Sequence, residues 1–341
     1  LNLSSTIFIT GATGFIGSYI TRLLFKKGYR NIIGLRRKNS SLDLLGEMAK
    51  KVQWIEGDLF QYEKLDSIIR ETDIVIHAAA LVSFHKGDQK ELMKTNVQGT
   101  ANMINLALEH DVKHFHYISS IASLGRSLDK PMVTEESHFQ NTALDTTYGL
   151  SKHLAEMEVW RGQAEGLAVS VINPSLVLGA AYWHKGSPEY FSTVADGIRF
   201  YPAGATGFVD VRDVARMSVQ LIEENHLGER FICNGTNTTH KEVMSIIARR
   251  FDKREPAYEV TRILAAIAWR AEFIRAFVMR RRPIITQETL RVSRQRFAYD
   301  NSKSKERLDF TYTALEDTIN QMSDLYQKAQ KEGRDFTIME W

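Results

Sequence analysis

An apolar, β-branched run, Thr6-Ile7-Phe8-Ile9-Thr10, ends in Gly11-Ala12-Thr13-Gly14-Phe15-Ile16-Gly17 and opens directly into an amphipathic helix. This order of strand, glycine turn and helix constrains the chain more than any other feature. Gly11 suits the tight turn, Gly14 lets the backbone approach phosphates, and Gly17 lets the helix pack close to the strand, so that the helix N-terminal N–H groups face a pyrophosphate. Thr13, Phe15 and Ile16 complete the turn and are expected to border that ligand. The G-x-x-G-x-x-G spacing departs from the G-x-G-x-x-G dinucleotide fingerprint. Context restores the reading, because a second strand, Asn31 to Leu35, follows Gly28 and completes a βαβ unit.

Strand-like runs continue at Val52–Ile55, Ile74–His77, His114–Ile118 and Val169–Ile172, alternating with helical stretches. That alternation predicts a Rossmann-type α/β fold with a doubly wound parallel sheet. In the helix expected from Asn96 to His110, Val97, Thr100, Ile104 and Ala107 share one face. After Leu176 the alternation gives way to Gly, Pro and aromatic residues. The expected organisation is a dinucleotide-binding domain over 1–175 and a smaller, interleaved substrate domain over 176–341, with 207–225 and 229–251 returning to the main sheet.

The 341 residues, 43% apolar, can supply the core of one large or two joined domains. With 44 basic and 41 acidic residues, the net charge of +3 gives no reason to expect a nucleic-acid partner. Cys233 is the single cysteine, which excludes an internal disulfide and a cysteine metal cluster; within Arg230-Phe231-Ile232-Cys233 it reads as a buried strand residue in a reducing, cytoplasmic setting. A first strand near residue 6 leaves no room for a signal peptide, although the chain begins at Leu1 rather than Met. No apolar run reaches the roughly 20 residues of a membrane span. His77 and His85 lack metal-ligand spacing, so no metal is expected. One local bias stands out: residues 262–296 hold nine arginines against two glutamates, a local +7 on an apolar background. A solvated helix pair is its plain reading; an anionic membrane surface or a phosphate-bearing substrate are the alternatives.

Tyr148 and Lys152 are four residues apart, hence on one face of a helix whose other face shows Leu150, Leu154 and Met157. A nearby ammonium and the positive end of a helix both favour a phenolate, so the tyrosine pKa is expected to fall. Ser120 follows the strand His114–Ile118, at the carboxyl end where open α/β sheets place their ligands. With the glycine turn, these three residues form a hydride-transfer site.

From residue 6 to about 320 the chain resembles the extended short-chain dehydrogenase/reductase family. Its glycine motif matches Gly11, Gly14 and Gly17, and its catalytic residues match Ser120, Tyr148 and Lys152. The resemblance further implies an adenine contact at Asp58 and Leu59, a cofactor-lining element at His77-Ala78-Ala79-Ala80, and a helix-anchoring, catalytically supporting Asn96. Pro174 and Ser175 fall at the cofactor side of the sixth strand, and Phe208–Ala215 is similar to the family's later Val-x-Asp-Val-Ala element. The sequences around Ser120 and Pro174 look most like the branch of dihydroflavonol reductases, cinnamoyl-CoA reductases and 3β-hydroxysteroid dehydrogenases. Sugar-nucleotide dehydratases carry acidic residues just after the catalytic Ser or Thr, where this chain has Ile121 and Ala122, so that reaction is disfavoured.

Where many epimerases place an acidic ribose contact after the second strand, this chain has Arg36-Arg37-Lys38. A guanidinium suits a 2′-phosphate, so NADP(H) is the expected cofactor and NAD(H) the alternative. The expected activity is interconversion of a carbonyl and an alcohol on a bulky, largely apolar small molecule. Ser120 would hold the substrate oxygen, Tyr148 donate the proton, and Lys152 lower the tyrosine pKa and bond the nicotinamide ribose. Tyr182, Trp183, His184 and Phe191 lie where the family covers its active site, and are expected to meet substrate unless they merely pack the smaller domain. A nucleotide-sugar epimerase holding NAD, and a non-catalytic cofactor-sensing protein, are the competing readings. The resemblance also implies a homodimer through Asn96–His110 and Tyr148–Arg161, faces that could equally be monomer core or surface.

Overall fold

Ile7, Phe8 and Ile9 are fully buried, as a strand must be when helices cover both faces of its sheet. The computed structural model describes residues 2–261, 263, 264, 266, 267, 269, 270 and 286–341. Its first five strands are β1 (Ile7–Thr10), β2 (Ile32–Arg36), β3 (Gln53–Glu56), β4 (Ile74–His77) and β5 (His114–Ile118). After the two-residue β6 (Met132–Val133) come β7 (Val169–Pro174), β8 (Leu176–Leu178), β9 (Phe200–Tyr201), β10 (Ala205–Asp210) and β11 (Glu229–Cys233). Seven of these form one sheet in the order β11-β7-β5-β4-β1-β2-β3, with every neighbouring pair parallel. The order reverses between β1 and β4, which opens a crevice beyond their carboxyl ends.

Helix α1 (Phe15–Lys27) ends at Gly28, whose φ of 105° lets its N–H reach the carbonyls of Leu24 and Phe25. The other helices up to residue 250 are α2 (Tyr62–Ile69), α3 (Gln89–Leu92), α4 (Gly99–Glu109), α5 (Thr147–Ala164), α6 (Glu189–Ala195), α7 (Val211–Glu223) and α8 (His240–Arg250). On one sheet face, Ile7, Ile9, Ile20 and Leu24 pack with Val214 and Met217 of α7. On the other, Phe8, Val75 and Phe115 pack with Ile104 and Ala107 of α4 and Ala155 and Val159 of α5. Leu154 and Met157 of α5 stay exposed. The C-terminal residues close over α1: Tyr19 Oη donates to the Ala180 carbonyl at 2.7 Å and accepts from Met339 N at 2.9 Å, and Arg22 donates to the Met339 carbonyl at 3.0 Å.

Two expectations about the later chain are corrected. Gly207–Val211 does not enter the main sheet. β11 takes the free edge of β7, pairing Phe231 with Ile172, so β10 instead pairs with β8 and with β12 (Thr236–Thr239) in a separate three-stranded sheet. The helix after it, α7, does return to pack on α1, but α8 packs against α6 and Leu315–Glu332, away from the central sheet. Two short parallel pairings, β9 with β13 (Tyr258–Glu259) and β6 with β14 (Ala298–Tyr299), tie in the C-terminal third. Cys233 is a fully buried, free thiol at the end of β11.

Candidate active site

The glycine turn is as tight as its spacing requires. Gly11 has φ +71°, and a Cβ there would lie 2.7 Å from backbone atoms of Ala78 and Ala79; a Cβ on Gly17 would lie 2.2 Å from the Gly11 carbonyl oxygen. Gly14 is the N-cap of α1, with no side-chain cap and no acidic residue in the first turn. The first-turn N–H groups therefore keep their hydrogen-bonding capacity and the positive helix end is not neutralised. Thr13, Phe15 and Ile16 are half-buried around them. At the end of β2 the Arg36 Nε is buried without a protein partner, and Arg37 beside it is exposed. At the end of β7, past Pro174, the Ser175 hydroxyl is likewise buried and unpartnered. These donors, spread along the carboxyl edge of one sheet, fit a phosphate-bearing dinucleotide. Asp58 is exposed with its carboxylate accepting from Phe60 N at 2.8 Å, whereas Leu59 is buried beneath Gly99.

In the segment 77–80, the backbone of Ala78–Ala80 passes the glycine turn while the His77 side chain turns into the core. Its ring nitrogens pair with Thr10 Oγ1 at 2.7 Å and Thr100 Oγ1 at 3.0 Å, and the ring stacks on Tyr117. Burial, with a smaller push from Lys152, drops its pKa to about 3, so the imidazole is neutral. Asn96 lies in a π turn, Met93–Gln98, leading into α4. Its side chain bridges Leu81 N at 2.7 Å, the Leu81 carbonyl at 3.0 Å and Ser151 Oγ at 2.8 Å, fastening the loop after β4 to α5.

Ser120 and Tyr148 meet, while Lys152, one helical turn along α5, turns to other partners. The Ser120 hydroxyl accepts from Ala122 N at 3.1 Å and interacts with the Tyr148 phenol. Thr146 caps α5 through Gly149 N at 2.8 Å, and Phe84 sits edge-on to the Tyr148 ring at 6.0 Å. Lys152 is 1% exposed, and its Nζ donates to Tyr117 Oη at 2.7 Å and the Ile118 carbonyl at 2.8 Å. The expected lowering of the tyrosine pKa is not found. Burial pushes Tyr148 up to about 12 against a smaller opposing effect of Ser120. Tyr148 is thus a phenol near neutral pH. Burial also brings Lys152 down to about 7, opposed by Glu156.

Glu156 was not singled out from sequence, although it stands one helical turn beyond Lys152. It is buried and accepts from Ser119 Oγ at 2.5 Å, Ser123 Oγ at 2.7 Å, Asn173 Nδ2 at 2.9 Å and Arg230 Nη1 at 2.9 Å. Burial raises its pKa, but Arg230 and the two serine hydroxyls outweigh that and hold the carboxyl below its ordinary value. Tyr117 and Glu288 also escaped notice. The first holds Lys152; the second, on the helix Gln287–Val292, accepts from Thr147 N at 2.7 Å beside Tyr148.

The four expected substrate residues are not gathered at this site. Trp183 and Phe191 are fully buried and pack on each other and on Tyr326, so they are core. Tyr182 bonds Asp43 at 3.0 Å and pairs with Phe336, while His184 is exposed, 3.8 Å from Asp335. Trp183→Ala is expected to destabilise the fold by about 3–5 kcal/mol, read from the denaturant midpoint, while cofactor affinity in the folded fraction stays unchanged.

A model of the NAD dependent epimerase/dehydratase family matches residues 7–235. The chain is 25% identical over 317 residues to sterol demethylase protein B of Methylococcus capsulatus, covering 91% of this chain and 94% of that protein. It is 30% identical over 263 residues to cinnamoyl-CoA reductase 1 of Arabidopsis thaliana, covering 72% and 75%. The UDP-glucose 4-epimerase of Thermotoga maritima superposes with a TM-score of 0.76 over 95% of this chain and 99% of that one, at 19% identity, a likeness of fold. The chain belongs to the NAD-dependent epimerase/dehydratase family and is an oxidoreductase enzyme of the extended short-chain dehydrogenase/reductase type.

Proposed function

We propose that the protein is an NADP(H)-dependent carbonyl reductase, reversible as an alcohol dehydrogenase, acting on a bulky and largely apolar small molecule. The observation that carries this reading is the meeting of the Tyr148 phenol with the Ser120 hydroxyl at the carboxyl edge of β5, one helical turn before the buried Lys152. A bound nicotinamide supplies the hydride in the reducing direction. Ser120 holds the substrate oxygen by hydrogen bonding, and Tyr148 gives its phenolic proton to that oxygen as the carbonyl carbon is reduced. Lys152, anchored on Tyr117 and the Ile118 carbonyl, keeps a positive charge behind the tyrosine as phenolate develops. An apolar substrate is supported by Phe84 against Tyr148 and by the exposed Val82 two residues before it. The exposed Leu154 and Met157 on α5 support a homodimer across that face.

Cofactor choice rests on Arg36 and Arg37. Replacing both by Ala is expected to weaken NADPH by roughly tenfold to a hundredfold, the size of one or two charge-assisted hydrogen bonds, with little change for NADH. Side-by-side titration of the two nucleotides checks this. Equal losses would remove the 2′-phosphate argument, and NAD retained through purification would favour the nucleotide-sugar epimerase.

A further inference from the structure

We infer that the exposed face formed by Ile263, Leu264 and Ile267, with the adjoining β9–β13 pair, docks on an anionic membrane surface. The described residues of this segment are helical, and Ile263, Leu264 and Ile267 are 74%, 39% and 59% exposed. Positions 263 and 267 are one turn apart, so these side chains form a single aliphatic face. The neighbouring flank of the helix is already used, and Arg270, seven residues after Ile263, stands at the border of the two. Ala266, Trp269 and Arg270 line a cavity of about 310 Å³ together with Leu290, Arg291 and Arg294. Beside them, Phe200 and Tyr258 have ring centroids 5.8 Å apart and both remain exposed. Val260 N bonds the Tyr201 carbonyl at 2.9 Å and Arg294 the Val260 carbonyl at 3.1 Å, which joins the strand pair to this region.

Charge selects the occupant. An exposed apolar patch marks an interaction surface, and the stretch 262–296 carries a net +7 in a chain whose total is +3. Arg270, Arg291 and Arg296 are exposed, whereas Glu288 is turned inward onto Thr147 N; Glu255 and Glu259 are exposed on the β13 side. Aliphatic side chains with the exposed Arg270 guanidinium on the same helix match a lipid interface, where the acyl region takes the first and headgroup phosphates the second. Among the described residues no helix is long and apolar enough to cross a membrane. The helix Gln287–Val292 joins the two sites: Leu290 faces the docking helix, and Glu288 holds the backbone one residue before Tyr148. Docking thus sets the start of the catalytic helix near lipid, from which an apolar substrate can enter. That last step rests on the reductase reading; the docking does not.

The test sediments the full chain with phosphatidylglycerol/phosphatidylcholine vesicles and with phosphatidylcholine vesicles alone, at low and high salt. NADPH is titrated without lipid, and oligomeric state is read by light scattering. Binding is expected on the anionic vesicles only, weakening with salt, and the double variant Ile263→Ser/Ile267→Ser is expected to lose at least about tenfold in vesicle affinity while binding NADPH as before. Failure to bind anionic vesicles, or unchanged binding by the double variant, overturns docking and leaves the reductase reading untouched. A dimer that the double variant dissociates would assign the face to a second copy instead. Vesicle binding together with a failure to oxidise NADPH with any carbonyl would sink the reductase reading alone.

Discussion

Tyr148→Phe is expected to bind NADPH like the parent protein and to lose about 10²–10⁴ in kcat, the usual consequence of deleting a positioned general acid. The substitution removes one oxygen. The ring keeps its edge contact with Phe84, α5 keeps its Thr146 cap, and Lys152 keeps both partners, since neither is Tyr148. No architectural reason exists for a large loss, so a large loss reports on chemistry. Single-turnover NADPH oxidation with a carbonyl substrate is the appropriate measurement, because it separates the proton-transfer step from product release. A variant that turns over at the parent rate would take Tyr148 out of the proton path.

Glu156→Gln should act in two ways that can be read separately. Removing one partner from a buried charge pair costs roughly 3–5 kcal/mol, and the low end is expected because Arg230 keeps some access to water. Stability to urea measures that. The second effect concerns Lys152, which burial has already brought to about 7 and which the Glu156 carboxylate holds up. In the proposed mechanism Lys152 acts as the ammonium, so activity is expected to fall on the alkaline side as its proton is lost. Without the carboxylate the ammonium is less favoured, and the alkaline limb of the rate profile moves to lower pH. A glutamate with a structural role only would lower the folded fraction and leave the limb in place.

Much of the architecture was legible because its causes are local. β1, β4 and β5 coincide with apolar, β-branched or aromatic runs, and β2 and β3 are displaced by a single residue from their expected bounds. The place of β10 was not legible. Its short run Ala-Thr-Gly-Phe-Val-Asp suits any sheet, and only the arrival of β11 at the edge of β7 decides which one it joins. Trp183 and Phe191 were misread for a related reason: aromatic residues among glycines look alike whether they line a cleft or fill a core. That Ser120 and Tyr148 meet was readable from spacing and order. The raised Tyr148 pKa was not, because it depends on how deeply the fold encloses the helix face. Glu156 was within reach, since the same i, i+4 argument that linked Tyr148 to Lys152 extends by one more turn to it.

The clasp of Met339 on Tyr19 and Arg22 joins residues more than 300 positions apart in the chain. Contacts of such separation form late, since a long loop must be closed before they can stabilise anything. During synthesis the βαβ unit around the glycine turn can take shape early, but α1 cannot reach its final packing until residue 339 has left the ribosome. The packing of α1 is therefore completed long after α1 itself is made, and in the interval the side that Met339 will cover is open.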